Sequence, residues 1–323
     1  MSDTEQAAKA RIIVLSFAQV AALRRVVSRQ IARIESVLCS YGGGGGGGGI
    51  GCGRLNFLEV MDRGTQRWDM LLVRDDGTRV GMVEDDSERH AAEEEEEAQE
   101  AAAADDAAAV DYALLERVMR DGPWVEVMRA ALGGTDAYTC QAGAIVSRPG
   151  ARCGKWHTDG GHPKYNIFEE GESGTPLAVC VFIPLVDLDL PQQSAASATK
   201  QAGSSSKVAV AAAAAAAAAE VMHGRGCTAF WPGSHRHPEA SSLGSVAAQA
   251  GACVSGAPMR AGDALGYDYR TVHCATPNDA AGLGAGGERP VLQLTYSKPG
   301  YSPSEGNYGS ERLFKAAAGS SER

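Results

Sequence analysis

The chain has 323 residues and a formal charge of −10, a length that suits one large domain or two small ones. Three stretches, Gly42 to Gly49, Glu93 to Glu97 and the alanine-rich run 209 to 219, cannot bury enough apolar surface to offset their ordering entropy, so the core is expected from roughly 200 to 220 residues. Twelve acids between Glu84 and Asp106 stand against Arg89 alone, a local balance of −11 that leaves the rest of the chain near +1, so the acidity says little about substrate, and neither a nucleic-acid footprint nor a polybasic membrane patch is visible.

The N-terminal region opens with Ile12, Ile13, Leu15, Phe17, Val20, Leu23, Val26, Val27, Ile31, Ile34 and Val37 at near-helical spacing. Arg24, Arg25, Arg29 and Arg33 fall on other faces. The period predicts an amphipathic helix over Lys9 to Leu38, packed on a domain; an arginine-rich organelle transit helix is the rival reading. Residues 1–41 are assigned to this helix and 42–53 to a glycine-rich linker. Residues 54–136 form an N-terminal part interrupted by the acidic insertion 84–106. Within it, 55–60 and 63–72 read as strands, Asp111 to Met119 as a helix, and Pro123 to Leu132 as a second helix with Trp124, Val127, Met128 and Ala131 on one face.

From Tyr138 the texture changes. Ala144-Ile145-Val146, Leu177 to Val186, Cys227 to Trp231, Gly262 to Tyr267, Thr271 to His273 and Arg289 to Tyr296 are short strand-like runs with turn residues between them. A low-complexity insertion, 191–223, separates two of them. Short strands without intervening helices argue for an all-β sandwich or jelly roll over 137–300, with 301–323 as a tail. The eight cysteines include no Cys-x-x-Cys pair; they read as reduced, buried small hydrophobes in an intracellular, cytoplasmic protein. No stretch approaches the roughly 18 apolar residues of a membrane span.

The chemistry-bearing stretch is Trp156-His157-Thr158-Asp159-Gly160. On an extended strand, His157 and Asp159 leave the same face. A histidine and a carboxylate so placed are two thirds of a facial triad, which binds iron and leaves cis positions open. Taken alone, the pair reads more readily as a solvated loop histidine beside an aspartate. His273, on a late strand, is the candidate third ligand. Arg289, one strand further on, has the planar fork that holds a dicarboxylic co-substrate. Gln141 is a further candidate contact for that co-substrate. Arg67 reads as tying a turn to Asp69. His162, His235 and His237 read as loop or structural histidines, and Trp156 as wall and packing.

These residues stand in a longer ordered series. Trp-His-Thr-Asp-Gly (156–160), Phe-Ile-Pro-Leu-Val-Asp-Leu (182–188), Trp-Pro-Gly-Ser-His (231–235), Gly-Asp-Ala-Leu (262–265), Tyr-Arg-Thr-Val-His (269–273), Asn278 and Arg289 follow in turn. The series resembles the phytanoyl-CoA dioxygenase-like family of Fe(II)- and 2-oxoglutarate-dependent oxygenases, over about half the chain. The resemblance implies an all-β core with flanking helices, a cupin-like double-stranded β-helix. It implies Fe(II) on His157, Asp159 and His273, and 2-oxoglutarate on Arg289. It further implies a dioxygenase that uses O2 to hydroxylate or oxidatively demethylate a small organic molecule, releasing succinate and CO2. Relatives that halogenate typically lack the carboxylate, so Asp159 favours oxygen transfer. Arg225-Gly226-Cys227-Thr228 departs from the family's usual Asn-Gly, and the gap from His273 to Arg289 is longer than usual. A catalytically silent binding module is the alternative function, and a cupin-like site for another divalent metal is a third.

Overall fold

The computed structural model describes residues 12–13, 15–41, 55–74, 78–84, 107–134, 138–160, 175–188, 227–236, 240–249, 251–256, 258–278, 287–301, 303 and 308–314. The strands are β1 (Ile12–Ile13), β2 (Val60–Gly64), β3 (Arg67–Leu71), β4 (Gly81–Glu84), β5 (Tyr138–Ser147), β6 (Ala178–Pro184), β7 (Thr228–Phe230), β8 (Val254–Ser255), β9 (Asp263–Asp268), β10 (His273–Ala275) and β11 (Arg289–Ser297). The helices are α1 (Phe17–Tyr41), α2 (Ala107–Asp121), α3 (Val125–Ala131) and α4 (Ala240–Gln249). The larger sheet runs β1-β9-β6-β11-β5-β3-β2, with β4 also on β5, and the smaller runs β10-β7-β8. Every named pairing is antiparallel.

Two-residue alternation divides the larger sheet into two faces. Cys140, Ala142, Ala144 and Val146 of β5, Val179, Val181 and Ile183 of β6, and Leu292, Leu294 and Tyr296 of β11 enter the main hydrophobic core. There they meet Leu23, Val26, Val27 and Ile34 of α1 and Leu115, Val118 and Met119 of α2. Removing a leucine or isoleucine side chain of this kind from water contributes about 1.5–3 kcal/mol. The opposite face turns inward. Ala178, Cys180, Phe182, Tyr267 and Tyr269 pack there against Phe230 of the smaller sheet. Two antiparallel sheets closed on a shared interior, with helices packed outside them, make a double-stranded β-helix.

Several local expectations are corrected. Ile12 and Ile13 pair with Ala264 and Asp263 as an edge strand, and the helix begins only at Phe17. Ser16 sets that start, because its backbone N–H donates to Gln19 Oε1 at 2.8 Å while the Gln19 N–H donates to Ser16 Oγ at 3.3 Å, a reciprocal cap. Val127 does not share the buried face of Trp124 and Met128; it is 54% exposed. A helix, α4, does intervene among the later strands. It covers the outer face of the smaller sheet, where Ala247, Ala248 and Cys253 pack with Trp156 and Trp231. Within the stretch assigned to a tail, Leu313 and Phe314 are buried in the main core. The cysteines are not uniformly buried: Cys39 and Cys153 are exposed, whereas Cys140, Cys180, Cys227, Cys253 and Cys274 are buried. The glycine run, most of the acidic tract, the 191–223 insertion, Cys52, His162 and His237 lie outside the described residues.

Candidate metal centre and active site

The segment from Ala151 to His157 runs antiparallel to the chain around β10 without forming a regular strand. Its anchors are bridges between Ala151 and Asn278 and between His157 and His273. His157 and His273 exchange both backbone hydrogen bonds, each 2.9 Å long, so their side chains leave the same face. Asp159 does not continue a strand, as the alternation argument expected. It lies in the bend after the bridge, and Gly160 lets that bend approach Tyr269, since a Cβ there would sit 2.9 Å from the ring.

Together these constraints bring His157, Asp159 and His273 to one place, with ligand atoms all within 4.8 Å of one another. Asp159 Oδ1 lies 3.7 Å from His157 Nε2 and 3.5 Å from His273 Nε2. The other nitrogens are committed elsewhere: His157 Nδ1 pairs with Lys155 O at 2.8 Å and His273 Nδ1 with Thr271 O at 3.0 Å. A carbonyl can only accept, so both Nδ1 atoms carry the proton and both Nε2 lone pairs point inward in the neutral rings. Asp159 Oδ2 is held by the Tyr267 hydroxyl, which donates at 2.6 Å, and by the Cys180 thiol at 3.7 Å. Two imidazole nitrogens and one carboxylate oxygen, each oriented by a partner behind it, fit a single divalent ion of the iron type. Among the described residues no other group of histidine, cysteine or acidic ligands is so arranged.

The electrostatics agree with an anion shared by two imidazoles. Burial works to raise the Asp159 pKa, but the imidazoles and Tyr267 hold it well below the usual carboxylate range. Burial works to lower His273, and the Asp159 carboxylate overcomes it and raises it. His157 is lowered, by desolvation and by its neighbour His273. Burial, with Asp159 alongside, pushes the Tyr267 hydroxyl up, so it stays a donor.

His157 and Asp159 open on a cleft of about 550 Å³, counting the space open to solvent, lined also by Gln141, Gln293, Thr295, Asp69, Arg63 and Tyr308 among others. Gln141 is thus at the site. Arg289 is not among the lining residues; it is 1% exposed and shares the inward face of β11 with Gln293 and Thr295. Asn278 Nδ2 donates to Gly287 O at 2.9 Å and to Ser147 O at 3.0 Å, which ties the residues on either side of the long gap to each other and to the end of β5. Arg67 does not tie a turn to Asp69. Its Nη1 and Nη2 donate to Arg152 O at 2.8 Å and Thr276 O at 2.6 Å, and Arg63 Nε takes Asp69 at 2.5 Å. Sequence reasoning missed Tyr267, Cys180, Phe182 and Phe230 around the ligands. The signal for Tyr267 and Cys180 was only their alternation on two apolar strands. Ser234, in the Trp-Pro-Gly-Ser-His block, accepts the Val272 N–H at 2.8 Å and so fixes the entry to β10.

The chain resembles the phytanoyl-CoA dioxygenase (PhyH) family, whose model matches residues 204–283, about a quarter of the chain. That span holds His273 and Asn278 but not His157, Asp159 or Arg289. No curated protein matches the chain in sequence. Among solved structures, AviO1 from Streptomyces viridochromogenes Tue57 is 18% identical at a TM-score of 0.43, covering 90% of this chain and 89% of its own. The non-heme alpha-ketoglutarate-dependent epimerase SnoN from nogalamycin biosynthesis is 15% identical at 0.42, covering 89% and 75%. EvdO2 from Micromonospora carbonacea var. aurantiaca, complexed with 2-oxoglutarate, is 15% identical at 0.38, covering 92% and 90%. The fold assignment rests on the strand pairings above. No helix among the described residues is long and apolar enough to cross a membrane.

Proposed function

We propose that the protein is an Fe(II)- and 2-oxoglutarate-dependent dioxygenase that hydroxylates or oxidatively demethylates a small organic substrate, with succinate and CO2 as co-products. The observation that carries this reading is the convergence of His157, Asp159 and His273, with both Nε2 atoms turned toward Asp159 Oδ1. His157, Asp159 and His273 would hold the iron. Bound there, iron supplies redox chemistry with O2 that the side chains lack. The chain's own part is orientation. Lys155 O and Thr271 O keep the imidazoles in one tautomer, Tyr267 keeps Asp159 from rotating, and Phe182 and Phe230 keep water from the inner side. Arg289, on the inner face, would take the distal carboxylate of 2-oxoglutarate in bidentate fashion, with Gln141 as a further polar contact. Asp159 supports oxygen transfer because it occupies the position that a halogenating relative would leave to halide.

The test is anaerobic titration of the full chain with Fe(II) and 2-oxoglutarate, then admission of O2 and measurement of succinate. Metal-dependent binding of 2-oxoglutarate and slow succinate formation, both lost in His157→Ala, are expected. Absence of both, with the variant indistinguishable from the parent, would favour a silent binding module. Metal binding without any dependence on 2-oxoglutarate or Arg289 would favour a cupin-like site for another cation.

A further inference from the structure

Asp69 and Arg63 line the cleft on which His157 and Asp159 open, and both come from the β2–β3 hairpin, not from the segments that carry the candidate metal ligands. Asp69 lies opposite Ile145 of β5, so it takes the inward face of the larger sheet together with Leu71, two residues on. Arg63 arrives by a different route. On β2, Asp62 pairs with Trp68 and Gly64 with Arg67, which makes Arg63 an extra residue that nothing on β3 faces. A bulge of this kind re-aims a side chain, and Arg63 Nε donates to Asp69 Oδ2 at 2.5 Å. The pair is not sealed from solvent, since the Arg63 side chain is 36% exposed and that of Asp69 16%. Asp69 Oδ1 makes no hydrogen bond among the described residues. Tyr308, from the C-terminal segment, lines the same cleft, and its hydroxyl likewise makes no hydrogen bond among the described residues. Burial, with Asp69 adding to the effect, pushes the pKa of that hydroxyl up, so it stays a donor.

We propose that Asp69, Arg63 and Tyr308 select a neutral polyol as the primary substrate, Asp69 accepting from one hydroxyl and Arg63 donating to its neighbour. The inference rests on the oxygenase reading only in calling that molecule a substrate, because its recognition needs no metal. Three other classes of molecule fit less well. An acyl chain or other apolar body would cover Asp69 Oδ1 and the Tyr308 hydroxyl without giving them partners, and a buried polar group left unpaired costs binding. An anion would set its charge against Asp69, and a cation would set its charge against Arg63, while the opposite charge of each is already matched by the other member of the pair. A hydroxyl both donates and accepts, so two adjacent hydroxyls satisfy a carboxylate and a guanidinium side by side without bringing net charge into the cleft. Because Asp159 and His157 line the same cleft, a molecule held by this pair lies beside the candidate metal ligands.

The experiment measures binding of four probes to the full chain by saturation-transfer NMR, with Zn(II) added as a diamagnetic stand-in for iron. The probes are methyl glucoside, a neutral ring with adjacent hydroxyls; glucuronate, its anionic counterpart; glucosamine, its cationic counterpart; and cyclohexanol, a ring with a single hydroxyl. Methyl glucoside is expected to bind about tenfold more tightly than the other three. Asp69→Asn keeps the shape of the side chain but leaves the Arg63 charge unmatched, so the preference should turn to glucuronate. Arg63→Met leaves Asp69 unmatched and should turn it to glucosamine. Tyr308→Phe, with unchanged circular dichroism, should weaken methyl glucoside about tenfold. Cyclohexanol bound as tightly as methyl glucoside, a charged probe preferred by the parent, or no binding of any probe overturns the proposal. Equal loss of all four probes in Asp69→Asn also overturns it, by giving the ion pair a structural role alone. Succinate formation with Fe(II) and 2-oxoglutarate is measured separately; its absence would remove the oxygenase reading and leave a polyol preference standing as a binding site.

Discussion

Two candidate metal ligands drawn from distant parts of the chain, His157 and His273, donate their backbone N–H groups to one another's carbonyl oxygens, at 2.9 Å each way. The link is made by main chain alone, so it sets the separation of the two imidazoles whatever side chains surround them. Asp159 then has only to fold back through one bend to reach both Nε2 atoms.

That arrangement leaves Asp159 Oδ2 to Tyr267. In Tyr267→Phe the carboxylate keeps its charge but loses the 2.6 Å hydrogen bond that fixes its rotation. Removal of such an outer partner costs about 10- to 100-fold in metal affinity. A titration with Co(II), whose absorption reports its ligands, should show this loss with unchanged circular dichroism. Undiminished affinity would remove Tyr267 from the supporting shell.

Arg289→Ala should separate the co-substrate from the metal. Losing hydrogen bonds to a charged carboxylate costs about 1.5–3 kcal/mol, so the KM for 2-oxoglutarate should rise about 10- to 100-fold, while Co(II) titrates as in the parent. Lysine restores the charge but not the fork, and recovers part of the loss. Parallel loss of metal binding would point instead to a collapsed interior, because Arg289 is buried at the start of β11.

The helical layer has its own pH dependence. Asp111 of α2 accepts from Arg25 Nε and Nη2 at 3.0 and 2.5 Å and from Arg29 Nη2 at 2.8 Å, both arginines on α1. Burial works to raise its pKa, but the two guanidinium groups outweigh it and leave it lowered. A carboxyl depressed in the folded state stabilises that state fully above its unfolded value, near 3.9, and the contribution fades as pH falls through the folded value. Asp111→Asn should therefore cost about 2 kcal/mol at pH 7, measured by urea unfolding. The difference from the parent should shrink below about pH 4. A difference that does not change with pH would assign the cost to packing.

Gly262 adopts φ +90°, and a Cβ there would lie 2.9 Å from Val20 Cγ2 and 3.0 Å from Leu15 O. Gly262→Ala combines a disfavoured backbone with a clash against the start of α1, at about 1–3 kcal/mol. The expected result is a lower urea midpoint with the slope unchanged. An alanine variant as stable as the parent would show that the turn can relax.

His157, Asp159, His273 and the glycines of the turns were legible in the sequence, because ligand chemistry and turn geometry demand particular residue types at particular spacings. The alternation of β11 was legible as well, since a strand alternates every two residues wherever it lies, whereas the run in β6 is apolar throughout and does not tell one face from the other. Other features were written in no local pattern. The edge pairing of Ile12–Ile13 with β9 depends on a strand far along the chain. The exchange of Asp69 from Arg67 to Arg63 depends on Arg67 finding the Arg152 and Thr276 carbonyls while Arg63 reaches the carboxylate. Tyr267 behind Asp159 is a contact between segments joined by no short-range constraint. Residue chemistry determined which groups this protein could bring to bear, and the closure of two sheets on each other decided which of them meet.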